Sequence, residues 1–103
     1  MKKILLACCS GVSTSMLVNN MKKAAEDQGL DVEIWAVGQN DVEKSMENAD
    51  VLLCGPQMRF LETKLAPKGD ELGIPVDVID TKTYGRCDGQ AVLKTALDLI
   101  AAK

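Results

Sequence analysis

The sequence predicts an α/β protein built on a parallel sheet, and three observations predict it. Ile4 to Ala7 and Val51 to Cys54 are short continuous apolar runs, the mark of strands buried on both faces. Stripes of apolar residues at helical spacing separate the strand-like segments. The two kinds of segment alternate along the chain, and right-handed crossovers between successive strands make the sheet parallel. A length of 103 residues fits one domain, 1–103, and no repeat, linker or low-complexity segment interrupts it.

The elements follow in order. After the first strand, Ser13 to Gln28 reads as a helix with Leu17, Val18, Met21, Ala24 and Ala25 on one stripe. Gly29 stands where a helix C-cap belongs. Val32 to Val37 holds Val, Ile and Trp and reads as the second strand. Asn40 and Glu43, three residues apart, resemble a capping box for a short helix through Met46. Val51 to Cys54 is the third strand, stopped by Gly55-Pro56. Pro56 suits the first turn of the next helix, whose inner face carries Met58, Leu61 and Leu65. Pro67 and Gly69 are expected to break or kink that helix. Val76 to Ile79 is the fourth strand, and "TKTYGRCDG" reads as a loop. Asp88 then caps a last helix that turns Val92, Leu93, Ala96, Leu97 and Ile100 inward.

Composition narrows the function. Hydrophobic residues make up 47% and charged residues 26%, the balance of a globular chain. A net charge of -3 without a long basic run argues against nucleic acid or an anionic membrane surface as the main partner. Met1-Lys2-Lys3 before Ile4 to Ala7 imitates the start of a signal peptide, and "LLAC" imitates a lipoprotein cleavage site. The apolar stretch falls short of the roughly 7–15 residues an exported segment needs, and no stretch reaches membrane-spanning length. The expected location is therefore the cytoplasm. Four cysteines (Cys8, Cys9, Cys54 and Cys87) occur without a C-x-x-C and without any histidine, so zinc-ligand spacing is absent and free thiols are expected. No metal or other cofactor is implied. Without histidine, a reactive cysteine needs another source of activation.

In a sheet of this kind ligands bind outside the carboxyl ends of the strands. Three loops are expected there: Cys8 to Thr14, Cys54 to Gln57 and Asp80 to Gly89. The first, "CCSGVSTS", runs into a helix N-terminus, where backbone N–H groups lack helical partners and the dipole favours an anion, phosphate above all. Gly11 lets the backbone fold back, and Ser10, Ser13, Thr14 and Ser15 add hydroxyl donors. The same field lowers the pKa of a thiol at its mouth. A thiolate beside a phosphate cradle is equipped to accept a phosphoryl group. Free cysteine in an arbitrary loop is more often a buried structural residue, and Cys54 and Cys87 are read that way. At Cys8 the strand end, the glycine and the four hydroxyls favour the nucleophile, while Cys9 competes, since only one of the pair points into the cradle.

"CCSGVSTS" with its amphipathic helix, "DVLLCGPQ" in mid-chain and "YGRCDG" near the end resemble the lactose/cellobiose class of IIB components of the bacterial phosphoenolpyruvate-dependent sugar phosphotransferase system. The resemblance spans nearly the whole chain and implies a four-stranded parallel sheet in the order 2-1-3-4 flanked by helices. It implies that Cys8 takes phosphate from a phosphohistidine of a IIA partner and passes it to a sugar imported by the membrane component IIC. The sugar would be a β-linked disaccharide such as cellobiose, chitobiose or lactose. Cys9 stands where the family usually has a small residue. The backbone of Cys9, Ser10, Gly11, Val12, Ser13 and Thr14 would hold the phosphate, with Ser15, Met16, Gln57 and Tyr84 as rim or partner contacts. Met16 lies opposite the inward stripe of its helix and, with Val12, is assigned to a docking patch.

The loop also resembles the C-x5-R-S/T cradle of low-molecular-weight tyrosine phosphatases. Thr14 replaces the arginine of that motif, so the site is expected to hold phosphocysteine rather than hydrolyse it. Asp80 and Asp88 are available as an acid, although capping or turn roles explain them equally. The rival readings are a phosphatase-like hydrolase, which would release free phosphate, and a non-catalytic anion-binding module, which would carry no covalent phosphate.

Overall fold

The computed structural model describes residues 1–8 and 11–102, without the side chains of residues 8 and 11–14. Four parallel strands, β1 (Lys2–Cys8), β2 (Val32–Gly38), β3 (Val51–Cys54) and β4 (Val76–Val78), form one sheet in the order β2-β1-β3-β4. The helices are α1 (Gly11–Asp27), α2 (Val42–Ser45), α3 (Phe60–Leu72), α4 (Thr81–Gly85) and α5 (Gly89–Ala102). Sheet order and parallel pairing are those expected.

The two central strands are apolar on both faces because each face has its own core. Ile4 and Leu6 of β1, with Val51 and Leu53 of β3, pack beneath α1 and α5 against Leu17, Met21, Val92, Leu93 and Ala96. Leu5 and Ala7, with Leu52 and Cys54, pack on the other face against Val42, Met46, Met58, Leu61 and Leu65. Burying one such side chain stabilises the fold by about 1.5–3 kcal/mol, so these alternating sets fix the strand register. The Asp50 N–H donates to the Lys3 carbonyl (2.8 Å) and the Lys3 N–H to Asp50 Oδ2 (2.8 Å), which sets where β3 starts against β1.

Several boundaries depart from expectation. Helix α1 starts at Gly11, so the first turn of the helix occupies much of the expected phosphate loop. Its C-terminus is as read: Gly29 has φ +67°, and Leu30 N–H reaches back to the Ala25 carbonyl (2.8 Å), a Schellman closure. The single helix expected from Asn40 to Met46 is instead a 3₁₀ turn (Gln39–Asp41), α2, and a second 3₁₀ turn (Met46–Asn48). The chain turns immediately after β2, which puts Asn40 inside the turn, and the residues preceding these turns make no side-chain cap.

Pro67 and Gly69 do not break α3, which runs on to Leu72. Pro67 and Thr63, whose carbonyl it leaves without a helical donor, both face solvent, so water can take the place of the lost bond. Gly69 has a packing reason: a Cβ there would lie 2.7 Å from Val76 Cγ2 and 2.8 Å from the Ile74 carbonyl oxygen. The true stop is Gly73, at φ +74°, with Ile74 N–H bonded to the Gly69 carbonyl at 2.8 Å. Part of the expected "TKTYGRCDG" loop is helix α4. Asp80 caps it, accepting from the N–H groups of Lys82 and Thr83 at 3.1 Å each. Asp88 caps α5 as read, accepting from Ala91 N–H at 3.1 Å.

Helix α5 meets α1 at Gly89, where a Cβ would overlap the Asn20 carbonyl carbon and the Met21 nitrogen. Backbone atoms on a packed helix cannot move aside cheaply. Gly89→Ala is therefore expected to lower stability by about 1–3 kcal/mol, the range for overpacking. Gly85→Ala, where nothing lies within 4 Å of the added carbon, serves as the control and should leave the urea midpoint within experimental scatter or raise it.

Candidate functional site

Three connections leave the carboxyl ends of adjacent strands. Strand β1 ends at Cys8, which pairs in register with Gly38, and α1 begins at Gly11 after only two intervening residues. Cys9 and Ser10 lie outside the described residues, as do the side chains of Cys8, Val12, Ser13 and Thr14. What is described is the frame: a buried strand directed at the amino end of a 17-residue helix. The first N–H groups of that helix have no partner within it, and the peptide dipoles add a partial positive charge there.

The second connection follows β3. Gly55 N–H donates to the Ala7 carbonyl at 3.1 Å, continuing the β1–β3 ladder one residue beyond β3. Pro56 then opens a 3₁₀ turn (Pro56–Met58). The third connection follows β4, where Ile79 N–H donates to the Cys54 carbonyl at 2.8 Å and α4 starts two residues later.

The structure brings two of the expected rim residues together. A Cβ built on Gly55 would lie 3.4 Å from Tyr84 Cε1, 3.5 Å from Gln57 Oε1 and 3.6 Å from the Ala7 carbonyl oxygen. Tyr84, half-buried on α4, and Gln57, exposed on the 3₁₀ turn, thus converge beside the end of β1. Ser15 and Met16 sit on the exposed side of α1, with Met16 59% exposed. The orientation opposite the inward stripe is as read from the sequence.

Two features escaped the sequence reading. The sequence marks Gly55 only as a strand stop, yet Tyr84 and Gln57 pack around it, at ordinary contact distance from where a Cβ would stand. Phe60, the chain's one phenylalanine, is 50% exposed at the start of α3. The signal was present: Phe60 falls one residue off the Met58, Leu61 and Leu65 stripe, so about 100° away from the core.

The cysteines differ in environment. Cys54 is buried in β3, and its thiol is pushed up from 9.0 to about 12, first by burial and then by the negative charges of Glu62 and Asp77. It is a structural thiol at neutral pH. Cys87 is partly buried, at φ +51°, and its carbonyl accepts from Asn20 Nδ2 at 2.8 Å. Asp80 and Asp88 both spend their carboxylates on helix N–H groups.

The fold is an open parallel α/β sheet whose connections after β1, β3 and β4 leave one edge together, and comparison with known proteins identifies the family. The family described as "PTS system, Lactose/Cellobiose specific IIB subunit" matches residues 3–95. The oligo-beta-mannoside-specific EIIB component of Bacillus subtilis (strain 168) is 50% identical over 100 residues, covering 97% of both chains. The cellobiose-specific EIIB component of Lactococcus lactis subsp. lactis (strain IL1403) is 42% identical over 104 residues, covering 96% of each. Among solved structures, the cellobiose-specific IIB component of Borrelia burgdorferi superposes with a TM-score of 0.83 at 34% identity, covering 99% of this chain and 94% of that one. The lactose-specific IIB domain of Streptococcus pneumoniae gives 0.85 at 18% identity, covering 95% and 96%, a likeness of fold. The chain belongs to the lactose/cellobiose IIB family of the phosphotransferase system, and its activity is that of a sugar phosphotransferase.

The surroundings of Cys54 set a measurable pattern of thiol chemistry. In the folded protein Cys54 is expected to resist alkylation at pH 8 and to react promptly in denaturant, as peptide mapping would show. Because the unfolded chain releases this proton near pH 9.0 and the folded chain near 12, the folded state holds more protons between the two values. Its stability must therefore fall as pH rises through that window. Rapid labelling of native Cys54 at pH 8 contradicts the assignment.

Proposed function

We propose that the chain carries phosphate on Cys8, between a phosphohistidine of a IIA protein and a sugar presented by a membrane IIC component. The N–P bond of phosphohistidine breaks as the S–P bond forms. In the second step the sugar hydroxyl oxygen displaces sulfur from phosphorus, and the hydroxyl proton leaves to solvent or a nearby base. The observation that carries the reading is the placement of Cys8 at the end of a central strand, three residues before the first residue of α1.

The amides of Cys9, Ser10, Gly11, Val12, Ser13 and Thr14 would stabilise the transferring charge, an arrangement whose worth rises in a preorganised site. Thr14 offers one neutral donor where a hydrolase of related loop pattern places a bidentate arginine. Together with the capping duties of Asp80 and Asp88, this favours a phosphocysteine that waits for an acceptor. Gln57 and Tyr84 border the transfer site. The sugars named for two relatives, oligo-beta-mannoside and cellobiose, support β-linked saccharides as the substrate class. Among the described residues no helix is long and apolar enough to cross a membrane, which suits a single carrier domain working in the cytoplasm and meeting IIC at the inner membrane face.

The test is intact mass after incubation with phosphoenolpyruvate and the upstream phosphorylated proteins. Cys8→Ser is expected to abolish the gain of one phosphoryl mass, and Cys9→Ser to retain most of it, since a nucleophile displaced by one residue misses near-attack geometry. Loss in the Cys9 variant with retention in the Cys8 variant reverses the assignment.

Met16 is exposed on the first turns of α1, where either partner must approach. Met16→Asp is expected to slow transfer from IIA roughly tenfold, the scale of one significant interface residue. Its exposure means that thermal stability should not change. Rapid-quench kinetics that match the wild type would remove Met16 from the docking surface.

A further inference from the structure

At the amino end of the sheet, away from Cys8, a recess of about 350 Å³ opens between the β1–β2 edge and the turns that follow β2. Lys3, Glu33, Trp35, Ser45 and Asn48 line it. Lys3 and Glu33 are register partners on adjacent strands, and Trp35, two residues beyond Glu33, emerges on the same face. Ser45 ends α2 and Asn48 ends the 3₁₀ turn after it. We infer that this recess is a binding site for a neutral saccharide, separate from the phosphoryl site.

The first argument is unused bonding capacity. Among the described residues, none of these five side chains makes a hydrogen bond or an ion pair. Their polar atoms are open to solvent rather than stranded, since among the described residues no buried side-chain nitrogen or oxygen lacks a partner. The lining supplies donors (the Lys3 ammonium and the indole N–H) and an acceptor (the Glu33 carboxylate), while Ser45 and Asn48 can do both. Sugar hydroxyls, which both donate and accept, match such a mixed ring.

The second argument is the aromatic face. Trp35 is half-buried, so one part of the indole is held by the core while the rest borders the recess. A rigid amphipathic ring of this kind stacks on the apolar C–H face of a pyranose. The third argument is charge. The lining carries one cation and one anion, giving no net preference for an ionised ligand. The volume lies at the small end of the roughly 300–1,000 Å³ range of small-molecule sites, and the open form leaves room for a longer saccharide to project.

The amino-end wall of the recess stands well back from the end of β1. Lys3 and Glu33 lie five residues before Cys8 and Gly38, about 16 Å along the strands. Bound sugar is thus held by the carrier without being the acceptor.

Trp35 is the chain's one tryptophan, so its fluorescence reports the recess directly. The experiment titrates unphosphorylated full-length protein with cellobiose, with glycerol as the control for bulk solvent effects. A saturable change is expected, with an unchanged midpoint in Cys8→Ser. Because Glu33 and Asn48 are exposed, Glu33→Gln and Asn48→Ala should keep the fold and raise the midpoint roughly three- to tenfold each, the scale of one hydrogen bond. A linear response equal to that of glycerol, or a midpoint identical in both recess variants, overturns the proposal. Tighter binding of glucose 6-phosphate than of glucose overturns the neutral class of ligand.

Discussion

The hydrogen bond from Gly55 N–H to the Ala7 carbonyl, 3.1 Å long, joins the ends of the two strands on which the site is built. It prolongs the ladder past the last residue of β3, so the chain leaves β1 and β3 at nearly the same level. At residue 55 the Tyr84 ring and the Gln57 amide come within ordinary contact distance of where a Cβ would stand. The segments that follow β3 and β4 thereby meet beside the end of β1. The strands in turn hold that bond in place, because both are apolar on both faces and cannot slip by one residue without exposing a core set.

The fold was largely legible because its signals are local. The apolar runs of β1 and β3 declared double-sided burial, the stripe from Leu17 to Ala25 declared its helix, and Gly29 and Asp88 sit at the ends they were read to mark. Errors arose where a tertiary contact outweighs a local rule. Gly69 looks like a helix breaker but is small because β4 and Ile74 press against it. Helix α4 is one short stretch capped by Asp80, with no apolar stripe long enough to announce it. The start of the expected phosphate loop was legible and its end was not, since Gly11 already lies in α1. Convergence of Tyr84 and Gln57 joins residues 27 positions apart in sequence, and no spacing rule encodes it.

Burial and field separate cysteines on neighbouring strands. Cys54 pairs in register with Ala7, the residue before Cys8. Its thiol faces an apolar core and two carboxylates, so the anionic form is disfavoured on every count. Strand β1 instead runs out of the core toward the partly positive end of a helix.

A helix terminus is useful for phosphoryl transfer only if it stays where the sulfur needs it. Helix α1 is fixed far from its N-terminus, at its middle. Gly89 lies against the backbone of Asn20 and Met21, and the Asn20 amide bonds to the Cys87 carbonyl at 2.8 Å. Both contacts come from the segment linking α4 to α5, so the connection that brings Tyr84 to the site also braces the helix that ends there. Cys87 adopts φ +51°, uncommon for a residue with a side chain. That turn lets its carbonyl meet Asn20 while Asp88, next along, caps α5. The "YGRCDG" stretch is therefore a clamp that holds the middle of α1 against the start of α5.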